Sequence, residues 1–384
     1  MASFSEDFGR RSLTVADKIR SIQWGLVLLV AAISGIGFAM LYSASNGSLQ
    51  PWASRQMARF ALTLAPMLAV ALIDMRHWYR SAYWIYGASL TLVIAVDLHG
   101  AVGMGAQRWI DLGFMQLQPS EIMKIALVLA LARYFHGLSA ENSGRLRYLV
   151  VPALLVLVPV GLVLKQPDLG TAIMLLAAGA ILCFLGGVRL WLFAAAALGG
   201  ATAAPVAWSF LRDYQKTRLY TFLEPDTDPL GAGYHIMQSK IALGSGGLFG
   251  KGFLLGTQSH LSFLPEKQTD FIFTMFAEEF GLVGGLVLLA LYVLVIGYAF
   301  AIALRSRSQF GRLLGLGIAA NFFLYAFINT AMVMGLIPVV GVPLPLISYG
   351  GTAMVTVMLG FGLLMNIGIH RDVRLSRVSE SQID

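Results

Sequence analysis

Ten stretches of roughly twenty mostly apolar residues run through this chain, each long enough to cross a hydrocarbon layer. They lie at approximately 22–43, 57–73, 78–97, 119–136, 148–164, 168–187, 190–211, 270–303, 310–336 and 351–369. Lipid offers no water to satisfy exposed amides, so each spanning segment must bond within itself as a helix. The wider composition agrees. Of 384 residues 57% are apolar and only 12% are charged, about half the charge of an ordinary soluble domain. That excludes a soluble enzyme and a disordered chain. The net charge of +7 is not gathered into one patch, which excludes a nucleic-acid-binding surface. A single cysteine, Cys183, lies within an apolar run and excludes both a disulfide framework and a Cys-rich metal site. The expected fold is an all-α polytopic membrane protein of ten transmembrane helices, forming one integral membrane domain over residues 1–384.

Counting Lys and Arg in the connections orients the spans. One side carries sixteen: Arg10, Arg11, Lys18, Arg20, Arg76, Arg80, Arg133, Arg145, Arg147, Arg189, Arg305, Arg307, Arg312, Arg371, Arg374 and Arg377. The short connections opposite carry four, namely Arg55, Arg59, Arg108 and Lys165. Both termini, tails 1–21 and 370–384, are therefore expected in the cytoplasm, in agreement with an even number of spans. Between the seventh and eighth spans lies an outer connection of 58 residues, 212–269, near neutral and too rich in large apolar residues for a linker. It is expected to be structured, with an amphipathic helix near 231–243 against the outer membrane surface.

An ionisable group inside a span costs at least ~2.5 kcal/mol at the bilayer centre, so each requires a partner or a wet cavity. Glu121 and Lys124 stand three apart behind Gln118-Pro119-Ser120, on one helix face. They are either a neutralising pair or part of a polar cavity open to the outer face. Asp168 and Asp270 open the sixth and eighth spans, where an acidic residue ordinarily caps the helix. Both nevertheless fall at the same outer boundary as Glu121. Glu278 and Glu279 lie two turns deeper, and at least one is expected to face the interior in a structural hydrogen bond. Arg108 in the first outer connection suits either a phosphate or a salt bridge to Asp111.

The run Gly244-Ser245-Gly246-Gly247-Leu248-Phe249-Gly250-Lys251-Gly252 is not a nucleotide loop, because Ser245 occupies the position where the Walker spacing needs glycine. A tightly turning backbone beside a substrate is the expectation there. The uncharged segment from Gly341 to Gly351, with Pro343 and Pro345, predicts irregular backbone at membrane depth, which requires protein or a cavity around it. The histidines do not cluster and supply no zinc site.

Together the motifs resemble those of the SEDS family (shape, elongation, division and sporulation) from about residue 25 to 371. The resemblance rests on Gly105-Ala106-Gln107-Arg108-Trp109-Ile110-Asp111-Leu112-Gly113, Gln118-Pro119-Ser120-Glu121 and Gln166-Pro167-Asp168-Leu169-Gly170-Thr171. It continues through Gln238-Ser239-Lys240-Ile241-Ala242-Leu243-Gly244, Leu264-Pro265-Glu266, Thr269-Asp270-Phe271-Ile272-Phe273 and Pro343-Leu344-Pro345-Leu346-Ile347-Ser348-Tyr349-Gly350-Gly351. The Ala106-to-Trp109 form and the stretch Val339 to Leu346 favour the elongation branch over the division branch. Gln268 stands where the family often has histidine.

The resemblance implies a peptidoglycan glycosyltransferase that polymerises lipid II on the outer face of the bacterial cytoplasmic membrane during wall elongation. It implies a class B penicillin-binding protein as activating partner, alongside other membrane proteins of the elongation complex, and no nucleic acid. It makes Asp270 the catalytic aspartate and lines the same cavity with Glu121, Lys124 and Asp168. Gln107, Arg108, Lys240 and Ser348 complete the candidate substrate-binding or cavity set. Joining an acceptor hydroxyl to an α-linked diphosphate with inversion needs a base, here Asp270, and positive charge at the leaving group. Lys124, Arg108 or a divalent cation, Mg or Mn, could supply that charge. The competing readings are a lipid II flippase, with Glu121, Lys124 and Asp168 as its path, or a non-catalytic scaffold.

Overall fold

The computed structural model describes residues 14–103, 106–111, 113, 116–139, 142–210, 213–224, 232–260 and 266–375. Among them, every apolar run is a helix. After a short amphipathic turn, α1 (Val15–Arg20), come α2 (Trp24–Ala44), α3 (Ala53–Leu72), α4 (Met75–His99) and α5 (Pro119–Gly137). Next follow α6 (Val150–Lys165), α7 (Leu169–Leu185) and α8 (Leu190–Phe210). The long connection holds α9 (Asp213–Leu223), α10 (Ala232–Ser245) and the single turn α11 (Thr257–His260). The chain then closes with α12 (Ile272–Arg305), α13 (Gln309–Val333) and α14 (Gly351–Ile369). Six of these helices are long and apolar enough to cross a membrane, and Leu169–Leu185 and Leu190–Ala203 are shorter apolar helices. α3 and α5 fall outside that set and carry charge: Arg55 and Arg59 on one, Glu121 and Lys124 on the other.

The all-α expectation needs one correction. The connection between α4 and α5 forms a small antiparallel sheet, in order β1 (Ala101–Gly103), β2 (Ala106–Asp111) and β3 (Gln116–Leu117). Its strands are too short for a periodic pattern to reveal them. The helix expected near 231–243 is present as α10. It docks on the core through Ser239, whose hydroxyl donates to Val333 O at 2.7 Å and shares a 2.7 Å hydrogen bond with Thr274 Oγ1.

Burial sorts the helices into centre and periphery. The apolar window of α13 is 89% buried and that of α14 78%, against 28% for α4 and for the segment containing α6. A helix apolar all round can meet either protein or lipid, so only packing separates the two cases. α5 and α13, with α7 and α14 against them, form the centre.

α12 is not one rod. Gly281 has φ 67° and ψ −166°, which breaks it into Ile272–Phe280 and Leu282–Arg305. The break frees backbone groups at membrane depth, and the glycine-rich loop satisfies them. Leu282 N donates to Gly247 O at 2.9 Å and Val283 N to Leu248 O at 3.0 Å. Lys251 N and Gly252 N return bonds to Glu278 O and Glu279 O, each at 3.0 Å. A Cβ on Gly250 would lie 2.1 Å from Glu279 O, so the loop can approach only as glycine. The glycine run is therefore a plug for a broken helix rather than a turn placed for substrate.

Glu278 and Glu279 serve this plug, as structural hydrogen bonds. Buried Glu278 accepts from Lys251 Nζ at 2.7 Å, Gln258 N at 2.9 Å and Thr257 Oγ1 at 3.2 Å. Buried Glu279 accepts from Ser43 Oγ on α2 and faces His260 Nε2 at 3.3 Å.

Candidate active site

The irregular segment 337–350 lies inside the protein, as a stretch of unpaired backbone at that depth requires. Ile347 packs against Gly37 of α2, Val340 and Val342 against Gly170 of α7, and Tyr292 Oη of α12 donates to Pro345 O at 2.7 Å. From α3, Gln56 Nε2 donates to Ser348 O at 3.1 Å. This segment grips the approach to α12 by consecutive carbonyls. Tyr349 N donates to Gln268 O at 2.8 Å, and Ser348 Oγ donates to Thr269 O at 2.6 Å. Asn329 Nδ2 of α13 donates to Asp270 O at 2.8 Å and also to Val342 O at 2.8 Å.

Three successive backbone oxygens are thus pinned directly behind the Asp270 carboxylate. The N-cap of α12 is Phe271, so Asp270 stands one residue before the cap position. Its side chain is partly exposed, with Phe271 and Phe273 buried beside it, and Oδ2 lies against Gly341. Asp168 does act as a cap: one oxygen accepts from Thr171 N at 3.1 Å and the other from Gln118 Nε2 at 2.9 Å.

Glu121 and Lys124 form a sealed pair. Lys124 Nζ lies 2.7 Å from Glu121 Oε1 and 4.1 Å from the Tyr325 ring centroid, with 1% of the residue exposed. The second Glu121 oxygen accepts from Tyr325 Oη. Lys124 also lines a small, mostly apolar cavity with Asn321, Tyr325 and Thr356, and its charge is paired with Glu121 there. Arg108 is committed elsewhere too, donating to the carbonyls of Gln166 and Pro167 just before Asp168. Among the described residues it pairs with no carboxylate, and Asp111 instead accepts from Gly113 N at 2.8 Å. Gln107 belongs to β2, but its side chain lies outside the described residues. Ser348 spends its hydroxyl on Thr269 O and on Leu344 N at 2.8 Å, and so holds the site rather than facing a substrate.

Three other cations lie on α3, on α10 and in the segment before α12. Lys240 is exposed, its stem lying across Gly335. Burial lowers the pKa of Lys267, three residues before Asp270, from its ordinary value. Arg59 stacks 4.6 Å from the Tyr349 ring centroid, and its buried Nη1 meets no protein acceptor.

Sequence reasoning missed the polar stripe of α13. Asn321, Tyr325 and Asn329 are four residues apart and bond in turn to Lys124 O, the Glu121 carboxylate and Asp270 O. Their spacing, in an otherwise apolar span, is the signal that could have found them.

Among the described residues no group of three or more His, Cys, Asp or Glu side chains could hold a metal ion. A magnesium ion held by one carboxylate and substrate phosphates needs no such cluster, and Asp270 meets that smaller requirement.

The fold and site define a mostly helical, multi-pass membrane protein that presents one partly exposed carboxylate from a rigidly held break between helices. Residues 23–373 match the cell cycle protein family FtsW/RodA/SpoVE, and the chain belongs to that family, the SEDS family of the sequence resemblance. The peptidoglycan glycosyltransferase MrdB of Escherichia coli is 45% identical over 351 residues, covering 90% of this chain and 93% of its own. The peptidoglycan glycosyltransferase RodA of Treponema pallidum is 32% identical over 422 residues, covering 90% and 97%. Among solved structures, a chain from work on the structural coordination of polymerization and crosslinking by a peptidoglycan synthase complex superposes with a TM-score of 0.79. It is 34% identical, with 91% of this chain and 98% of that chain covered. The rod shape determining protein RodA of Thermus thermophilus gives a TM-score of 0.68 at 32% identity, covering 91% and 97%.

Proposed function

We propose that this chain is a peptidoglycan glycosyltransferase that polymerises lipid II, with Asp270 as the base of an inverting displacement. The observation that carries the assignment to Asp270 is the pinning of the carbonyls of residues 268, 269 and 270, which fixes the backbone that carries this partly exposed residue. A base must be held within hydrogen-bond reach of the proton it takes, and a fixed backbone removes the entropy of finding that position. The acceptor 4-hydroxyl gives its proton to Asp270 while its oxygen bonds to the anomeric carbon of the donor. The bond from that carbon to the diphosphate breaks, and the electron pair leaves with the phosphate oxygen. Lys240, which is exposed, and Arg59 are cations that can meet the charge that develops there. A divalent cation, Mg or Mn, would be held by one Asp270 oxygen together with substrate phosphates, and when bound supplies further positive charge to the leaving group. A transport path through Glu121, Lys124 and Asp168 is disfavoured by their burial and by the bonds each already makes.

The orientation follows from the basic residues: ten spans, both termini cytoplasmic, and Asp270 facing the periplasm across the inner membrane. In this reading residues 212–269 form the outer loop of a single membrane domain, and the tails 1–21 and 370–384 are cytoplasmic. A class B penicillin-binding protein is the proposed partner, in keeping with the synthase complex to which the fold is similar.

The test is polymerisation of purified lipid II by the full chain, with and without the partner. Asp270→Asn should lower the rate about 10²–10⁴-fold while membrane level and thermal stability hold. Polymerisation at the wild-type rate by this variant would move the base elsewhere.

A further inference from the structure

At the end of α12 opposite Asp270, a pocket of about 280 Å3 opens between the start of α2, the last two turns of α12 and the end of α14. Arg305 and Arg371 line it, with Gln23, Tyr298 and Ile302. Its charge is not neutralised locally. Arg305 has no acidic partner among the described residues, while Arg371 and Arg307 share the one carboxylate of Asp372, at 3.3 Å and 3.2 Å. Gln23 lies flat on Gly368, its Nε2 donating to Ser21 O at 3.0 Å. Its Oε1 is buried and accepts from nothing among the described residues. The site therefore offers two guanidinium groups and one acceptor that lacks a donor.

We propose that this pocket binds the phosphate of an anionic membrane lipid whose head group also carries a free hydroxyl, of the phosphatidylglycerol class. Guanidinium groups match phosphate oxygens in planar, two-point bonds. A phosphodiester has no proton to give Gln23 Oε1, whereas a glycerol hydroxyl does, and it satisfies an acceptor that would otherwise stay desolvated and unpaired. Ile302 supplies an apolar wall, and further along α12 Val293 and Leu294 are exposed, a surface suited to acyl chains. A free phosphate ion would use neither the apolar wall nor the orphan acceptor.

The site is tested on the full-length protein in detergent, supplied in turn with phosphatidylglycerol, phosphatidylcholine or inorganic phosphate. Retained lipid is read by native mass spectrometry, and stability by the thermal midpoint. Wild type should retain phosphatidylglycerol over phosphatidylcholine and show a raised midpoint with it, and inorganic phosphate should do neither. Arg305→Gln with Arg371→Gln should retain roughly tenfold less phosphatidylglycerol. The exposed pair Arg76→Gln with Arg80→Gln, at the same end of the molecule, should behave as wild type. If the double variant fails to fold, Arg305→Gln alone decides, because that side chain has no ion-pair partner among the described residues. Unchanged retention in the Arg305 variants, equal loss in the control pair, or equal stabilisation by inorganic phosphate would each overturn the proposal.

Discussion

Tyr325 and Asn329 stand one turn apart on the same face of α13; the first donates to the Glu121 carboxylate, and the second donates to the carbonyl of Asp270. One helix therefore sets the position of the buried ion pair and of the candidate base together. α13 is also the most buried of the spanning helices, so this ruler has little freedom to move.

Tyr325→Phe keeps the ring under Lys124 but leaves one Glu121 oxygen buried without a donor. The expected loss is about 1–3 kcal/mol of stability, read as a lowered unfolding midpoint in detergent. Combined with Glu121→Gln, the two changes should be non-additive by about 0.5–3 kcal/mol. Strict additivity would mean that the contact carries no energy.

Asn329→Leu removes both bonds that Nδ2 makes, to Asp270 O and to Val342 O. The Asp270 carboxylate remains but loses its fixed backing, so the turnover rate should fall roughly 100-fold. KM for lipid II and membrane level should change little. A variant with raised KM and intact turnover would instead place Asn329 in substrate binding.

Gly281→Ala forces a side chain into φ 67° and sets its Cβ 2.3 Å from Gly250 N. The backbone term alone is about 1–3 kcal/mol, because this φ/ψ pair is essentially open only to glycine, and overpacking adds about 1–3 kcal/mol. The yield of folded protein should drop sharply. Gly297→Ala, in the same helix with nothing within 4 Å, is the control and should fold normally.

His370, just past α14, has its pKa lowered from the ordinary 6.5, chiefly by burial, with Lys18 also lowering it and Asp74 opposing. The folded state thus resists the proton that the unfolded chain accepts. Its stabilising contribution is full above about pH 6.5 and is lost as pH falls through the lower folded pKa. Thermal midpoints measured from neutral to mildly acidic pH should fall for wild type, and fall less for His370→Asn. Parallel curves would show that other groups dominate the acid response.

Much of the architecture is legible in the chain itself. Hydropathy acts residue by residue over windows of a span's length, so the ten apolar runs and the helix within the long connection could be placed without a structure. The Asp168 cap was equally readable, because its partner Thr171 is only three residues away. What escaped depends on residues far apart in sequence. Nothing local reveals that Asn329 and Ser348 reach the backbone around Asp270 from 59 and 79 residues away, while Asp168 makes its cap bond within its own helix. Nothing local assigns Arg108 to two carbonyls rather than to Asp111 or a phosphate. The glycine run could not announce the break it seals at Gly281, because a plug and the gap it fills are defined only against each other. Composition and hydropathy determined that this chain builds apolar helices and, to within a few residues, where they lie. Tertiary packing alone decided which polar groups are spent on holding the structure, because satisfying a desolvated donor or acceptor depends on what folds against it.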